Sequence, residues 1–242
     1  MEIARRTALV TGGARRIGRA IALDLAHAGA NIVINYNESE RMAHETVAEI
    51  ESLGRLAIAV RADVAEAREV EALVDAAEKS FGGLDILVNS AATFESGRFE
   101  EITEAEWDRV LAVNLKGPFL LMQKAAPLLR KNGGVVVNIA DLSAFQPWPS
   151  YAHHATSKAG LVHLTRVAAR ALAPDIRVNC VAPGTVLPPE GYDGTGSDGT
   201  SDRRLVRRPG MPEDVTAAVR YLITSDFVTG ETLVVDGGRM LL

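Results

Sequence analysis

In the stretch YAHHATSK three side chains able to hold or move a proton stand at helical spacing. They are the Tyr151 phenol, the His154 imidazole and the Lys158 ammonium, three and four residues apart. On a helix over Tyr151–Leu172 these positions share one face. A phenol, an imidazole and a cation converging on one point make a set for acid–base work on a polar reacting atom. The plain alternative is that His154 only fills space on a helix face. His153 points elsewhere on such a helix and takes no role.

A second group of residues could hold phosphate. TALVTGGARRIGRAIALDL reads as a strand, a glycine turn and a helix. Gly12 and Gly18 would let backbone approach a pyrophosphate, and the helix N-terminus would supply free N–H groups and positive potential. The spacing departs from the usual three-glycine pattern, because Arg16 follows Gly12 before Gly18 is reached. An ordinary strand–helix turn is the competing reading.

Both groups need a scaffold that brings chain ends together, and the rest of the sequence supplies one. Short apolar runs read as strands: Thr7–Thr11, Asn31–Tyr36, Leu56–Val60, Asp85–Asn89, Val135–Ala140, Ile176–Ala182 and Thr232–Asp236. Their near-continuous apolar character suits strands buried on both faces. Amphipathic segments alternate with them. Ile17–Ala28 stops at Gly29, Ser39–Leu53 at Gly54 and Ala67–Phe81 at Gly82. Thr103 opens a capping box with Glu106. Repeated strand–helix–strand units predict an α/β fold, a doubly wound parallel sheet with helices on both faces, in one domain over 1–242.

One stretch breaks the rhythm. Leu187–Arg204 is rich in Gly, Asp, Ser, Thr and Pro and too polar to pack a core. It predicts a mobile loop within about 185–208, following the sixth strand and so overhanging the carboxyl ends of the sheet, where ligands bind. A substrate lid and an inert insertion are its two readings.

Composition narrows the function classes. The chain has 242 residues, 47% hydrophobic and 24% charged, with a formal charge of −5. No basic tract suggests nucleic acid. The lone Cys180 allows no internal disulfide and reads as a core thiol, and no metal site is expected. No stretch reaches membrane-spanning length, and the N-terminus runs straight into a strand without a signal peptide, so the cytoplasm is the expected location.

Six segments in order, TGGARRIG, NSAA, VNLKG, YAHHATSKAG, RVNCVAPGTV and FVTGETLVVDGG, resemble the short-chain dehydrogenase/reductase family from about Thr7 to Gly238. The resemblance implies a seven-stranded Rossmann sheet, usually in a homotetramer, moving hydride between a nicotinamide cofactor and a small carbonyl or imine. It implies cofactor contacts at Gly12, Arg15, Arg16, Ile17, Gly18, Tyr36, Asn37, Asp63, Val64, Asn89, Ala91, Lys158, Pro183, Gly184 and Val186. Tyr36 stands where NAD-using relatives carry aspartate, and Arg15 stands where relatives bind a 2′-phosphate. Both favour NADP(H), while Glu38 argues for NAD(H).

Relatives resemble one another in an Asn, a Ser, a Tyr and a Lys. Asn114 and Lys158 match; Asp141 stands at the Ser position and His154 at the Tyr position. Pteridine reductases resemble the chain at the altered places too, with a basic residue at Arg16, a Phe at Phe94, Asp at Asp141 and Tyr at Tyr151. This implies a flat polar substrate stacked on Phe94 and met by Asp141 and Tyr151. Phe94 as core and Asp141 as a loop cap are the plain alternatives. Lys158 would disfavour a charged His154 and an ionised Asp141 would favour it, so the two oppose. Three outcomes stay open: His154 supported by Asp141 delivers the proton, Tyr151 delivers it, or the protein binds the cofactor and reduces nothing. A 3-oxoacyl or other carbonyl reductase is the other enzymatic reading.

Overall fold

A computed structural model describes residues 1–187 and 204–242. The sequence element at Leu187–Arg204 lies, but for its two ends, outside the described residues. Among the described residues the chain runs β1 (Thr7–Val10), α1 (Arg16–His27), β2 (Asn31–Tyr36), α2 (Glu40–Ser52), β3 (Ala57–Arg61), α3 (Ala67–Phe81) and β4 (Ile86–Asn89). It continues α4 (Glu104–Leu111), a π turn (Ala112–Lys116), α5 (Gly117–Arg130), β5 (Val135–Ile139), α6 (Ala152–Leu172), β6 (Arg177–Pro183), α7 (Pro212–Thr224) and β7 (Thr232–Val235).

The seven strands form one parallel sheet in the order β3-β2-β1-β4-β5-β6-β7. The order reverses between β1 and β4, so the turns leaving these two strands part in opposite directions and open a crevice, the usual ligand position in such sheets. One apolar layer lies under α1 and α7 (Ile21, Leu25, Ile34, Leu222), and another under α3 and α5 (Leu9, Leu73, Leu87, Leu129). Strands buried on both faces are what the continuous Val/Ile/Leu runs demand.

Helix ends follow local chemistry. Gly82 closes α3 in the left-handed conformation at φ 78°. Thr103 Oγ1 accepts the Glu106 amide N–H while the Glu106 carboxylate accepts the Thr103 amide, the reciprocal cap read in the sequence. Several boundaries shift by a residue: β3 is Ala57–Arg61 and β6 is Arg177–Pro183. One shift matters for the site. The helix expected from Tyr151 begins at Ala152, because Pro149–Tyr151 forms a 3-10 turn and Tyr151 sits at φ −137°, ψ 37°. Pro149 pre-sets that tight turn. Among the described residues no helix is long and apolar enough to cross a membrane.

Candidate active site

The glycine turn between β1 and α1 is held from three sides. The Gly13 amide donates to Asn35 O (3.1 Å) and the Gly12 amide to Asn35 Oδ1 (3.4 Å). Thr11 Oγ1 accepts the amides of Ser90 and Ala91, both at 3.0 Å, tying the turn to the segment after β4. Gly12 sits at φ +61°, and a Cβ on Gly18 would fall 2.2 Å from Gly12 O. That close approach lets α1 start directly behind the turn. Its first turn has no acidic residue and its N-cap makes no side-chain hydrogen bond, so the positive end of the helix dipole lies uncompensated by a carboxylate of its own first turn. Arg15 caps the helix, and Arg16 adopts φ 52° and reaches Leu187 O at 3.4 Å. Ile17 packs on the core beneath.

The other residues expected around a dinucleotide stand at or just beyond the carboxyl ends of β2, β3, β4 and β6. Tyr36 is buried at the end of β2, edge-on to His44. Its sheet partner is Arg61, whose Nε donates to Asn37 O at 3.2 Å. Asp63 caps its own turn through the Ala65 amide (2.9 Å), and Val64 packs on Gly117. Asn89 Nδ2 donates to Asn138 Oδ1 (2.7 Å), while Asn89 Oδ1 is buried without a hydrogen-bond partner among the described residues. Pro183 ends β6, the Gly184 amide bonds Val235 O (2.9 Å), and Val186 packs against Gly210. The place of Arg61 beside Tyr36 was not legible in the sequence, since only sheet register puts it there.

Asp141, His154, Lys158 and Asn114 come together at the carboxyl ends of β4 and β5. His154 is 2% exposed. Its Nε2 lies 2.6 Å from Asp141 Oδ2, and its Nδ1 lies 3.1 Å from Thr93 O and 3.3 Å from Asn114 Nδ2. Asn114, presented by the π turn, donates through Nδ2 to Thr93 O (3.0 Å) and Ser157 Oγ (3.1 Å), and accepts the Thr93 amide at Oδ1 (2.9 Å). Ser157 Oγ donates in turn to His154 O at 2.6 Å. Lys158 Nζ donates to Ile139 O at 2.8 Å.

Asp141 is both the loop cap and the histidine partner. Its Oδ1 accepts the amide and hydroxyl of Ser143 at 2.8 and 2.5 Å, heading the short turn Leu142–Ala144. Burial pushes its carboxyl up. The hydrogen bond from His154 and the charges of Lys158 and His154 outweigh that and hold it below the ordinary carboxylate range. Burial lowers the Lys158 ammonium, with the Asp141 charge opposing. Burial also pushes the Cys180 thiol up to about 11, so it behaves as core.

Phe94 is not core: it is 57% exposed. Its ring stacks on Tyr151 at 4.6 Å and 22°, and its edge meets the His154 ring at 4.7 Å and 88°. Trp148 stands edge-on to Tyr151 at 6.0 Å. The aromatic row Trp148–Tyr151–Phe94 therefore forms a shelf leading to the Asp141–His154 pair. Tyr151 belongs to this shelf as the residue before the helix. Ser157 joins the site unannounced by sequence, and Thr93, which stands where pteridine reductases carry Ser before the Phe, joins it through its main chain.

A family model described as "Enoyl-(Acyl carrier protein) reductase" matches residues 12–239. The chain is 38% identical to the 3-oxoacyl-[acyl-carrier-protein] reductase FabG of Staphylococcus aureus, over 98% of each chain. It is 39% identical to 3beta-hydroxysteroid dehydrogenase 1 of Eggerthella lenta, over 99% of this chain and 95% of that one. A short chain dehydrogenase from Burkholderia cenocepacia, solved in complex with NADP, superposes with a TM-score of 0.93 at 37% identity, over 99% of this chain and 100% of the other. By sequence, by sheet order and by the crevice that holds its polar cluster, the chain belongs to the short-chain dehydrogenase/reductase family of oxidoreductases.

Proposed function

We propose that the protein is an NADP(H)-dependent reductase of a polar C=O or C=N bond, in which Asp141 and His154 act together as the proton source. The observation that carries this reading is the 2.6 Å contact between His154 Nε2 and Asp141 Oδ2 at the crevice.

The crevice suits the cofactor on its own features. The N-terminus of α1 and the glycine turn fit a pyrophosphate, and Arg15, Arg16 and Arg61 are basic residues placed for the adenosine end. Asn89 Oδ1 is a buried acceptor awaiting a donor. Tyr36 in place of a carboxylate, together with Arg61 beside Asn37, favours the 2′-phosphate form over NAD(H), and the NADP complex of the Burkholderia relative agrees. Gly12, Ile17, Gly18, Asp63, Val64, Ala91, Pro183, Gly184 and Val186 would line it, with Lys158 near the reacting end. When bound, NADP(H) supplies the hydride equivalent.

The chain's own residues then manage the proton. An ionised carboxylate only accepts, so His154 Nε2 must carry hydrogen toward Asp141. Asp141, with a side chain 22% exposed, is the member of the pair that faces the crevice; His154 lies behind it. As a substrate oxygen gains negative charge, Asp141 Oδ2 takes the Nε2 proton from His154 and passes that proton on to the substrate. The imidazole is left neutral and recharges from solvent. The Lys158 cation stabilises both Asp141 and the developing anion.

Two further observations bear on substrate. The 3-oxoacyl reductase relative favours an open-chain ketone. The half-exposed Phe94 face, backed by Tyr151, favours a flat pterin-like imine. A catalytically silent NADP(H)-binding protein is the reading favoured by His154 having both ring nitrogens occupied. The apolar groove beside α4 and α6 is consistent with self-association, and the family resemblance is what suggests a homotetramer.

The deciding experiment is NADPH and NADH oxidation with ketone, 3-oxoacyl and dihydropterin substrates, on wild type, His154→Tyr and Tyr151→Phe. Wild-type turnover that rises as pH falls, and survives Tyr151→Phe, supports the pair. A rate flat from about pH 5 to 8, where free imidazole changes charge, counts against it. Turnover only in His154→Tyr identifies the silent protein.

A further inference from the structure

The imidazole of His154 faces two rival partners at Nδ1. Thr93 O, at 3.1 Å, can only accept and so requires a proton on Nδ1. Asn114 Nδ2, at 3.3 Å, can only donate and so requires a bare nitrogen. Asn114 already spends its two amide hydrogens on Thr93 O and Ser157 Oγ at shorter distances. The carbonyl therefore wins, and with Asp141 at Nε2 the ring is asked to carry both protons. Everything turns on where the Thr93 carbonyl stands.

That carbonyl belongs to an irregular segment after β4 with no sheet to hold it. Its anchors are side chains. Thr93 Oγ1 donates to Glu95 Oε1 at 2.8 Å. Arg109, in the last turn of α4, grips Glu95 through Nε to Oε1 (3.1 Å) and Nη2 to Oε2 (2.5 Å). The fork geometry makes this bidentate pair stiff. It ties the Thr93 peptide to the helix that leads into the π turn bearing Asn114. The Glu95 side chain is 31% exposed, so the pair is partly shielded. The Arg109 hydrogen bond, then that of Thr93, and the charges of Arg109 and His153 hold the Glu95 carboxyl below the ordinary range against the opposing effect of burial.

We propose that Glu95 is a positioning residue: clamped by Arg109, it holds the Thr93 carbonyl against His154 Nδ1 and so keeps the ring doubly protonated with Nε2–H aimed at Asp141. This rests on the Asp141–His154 pair as the proton source. Charged and titratable groups facing His154 are Asp141 and Lys158; those facing Glu95 are Arg109, His153 and Glu106. Without the clamp the Thr93 peptide keeps only its two bonds to the Asn114 amide and can tilt away from the ring, so that Asn114 Nδ2 takes over Nδ1 and the ring settles as the neutral Nε2–H form.

The test reads the ring itself, without turnover. Nitrogen-15 NMR of the histidine side chains in the full-length protein, at neutral pH, assigns His154 by the loss of its signals in His154→Gln. In wild type both ring nitrogens should show protonated shifts. In Glu95→Ala and in Thr93→Val, which removes only the hydroxyl link, the Nδ1 signal should move to the bare-nitrogen position. Glu95→Gln keeps an acceptor for Thr93 and should restore part of the wild-type signal. An unmoved Nδ1 in both Glu95→Ala and Thr93→Val overturns the proposal, as does a bare Nδ1 in wild type. Where a substrate is turned over, Glu95→Ala should lower kcat at pH 8 by about tenfold or more, with KM little changed, a loss of the size that misplacement of a catalytic group produces. A moved nitrogen signal with kcat intact leaves the positioning role standing and refutes the proton source, so the two failures are distinct.

Discussion

Asp141 spends one oxygen on Ser143 and the other on His154, which makes it sensitive to the smallest substitution. Asparagine has one acceptor oxygen, so Asp141→Asn must forsake one partner or face Nε2–H with its own N–H₂. A donor left unsatisfied in a buried place costs about 1–3 kcal/mol. The folded Asp141 carboxyl lies below its unfolded value, so its contribution is complete above the ordinary carboxylate pKa and fades as pH falls through the folded one. Urea unfolding of wild type and Asp141→Asn should therefore differ by a constant amount from pH 7 down to about pH 4, and the gap should shrink only as pH falls further. A gap that persists unchanged in acid would mean that the charge on Asp141 does not stabilise the fold. Helical spacing made His154 and Lys158 legible in the sequence, while Asn114 and Asp141 were legible only through the family resemblance. The Thr93 carbonyl was not, because a main-chain oxygen carries no residue signature. Nor was Phe94 on Tyr151, since that stack depends on how two loops fold.

At the scale of elements, the close seat of α1 on its turn is the most exacting feature. A Cβ on Gly18 would sit 2.2 Å from Gly12 O, against backbone that cannot swing aside. Gly18→Ala should lift the helix N-terminus, weaken NADPH binding more than tenfold and lower stability by about 1–3 kcal/mol, the usual cost of overpacking. Gly83 offers the control, because a Cβ there meets nothing within 4 Å. Fluorescence titration with NADPH and thermal melts on both variants would check this; equal binding by the two would break the link between helix seat and cofactor. Strands and helices were readable from period and punctuation, to within a residue at most ends. The helix start at Ala152 was missed, because Tyr151 looks like a helical residue by spacing while Pro149 draws it into the preceding turn.

For the whole molecule, sheet and helices bury their apolar faces, yet among the described residues an apolar groove stays open. Leu111, Leu115, Phe119, Leu164 and Val167 line a groove of about 740 Å³ between the end of α4, the start of α5 and α6, rimmed by Asp108 and Lys116. Phe119 is 46% and Val167 51% exposed in the lone chain. Contiguous apolar patches with a charged rim mark association surfaces in soluble proteins. The sequence hinted at association only through family resemblance, because these positions look like ordinary core spacing on α5 and α6. Only the packed structure shows which apolar faces lack a partner. If the groove joins identical chains, wild type should sediment well above 25.8 kDa, and Phe119→Glu with Val167→Glu should reduce it to that mass. The helices carrying Asn114 and Lys158 back onto this surface, so separated chains should also lose thermal stability. A wild type that runs at 25.8 kDa at micromolar concentration would leave the groove without a self-partner. A double variant that stays assembled would place the interface elsewhere on the molecule.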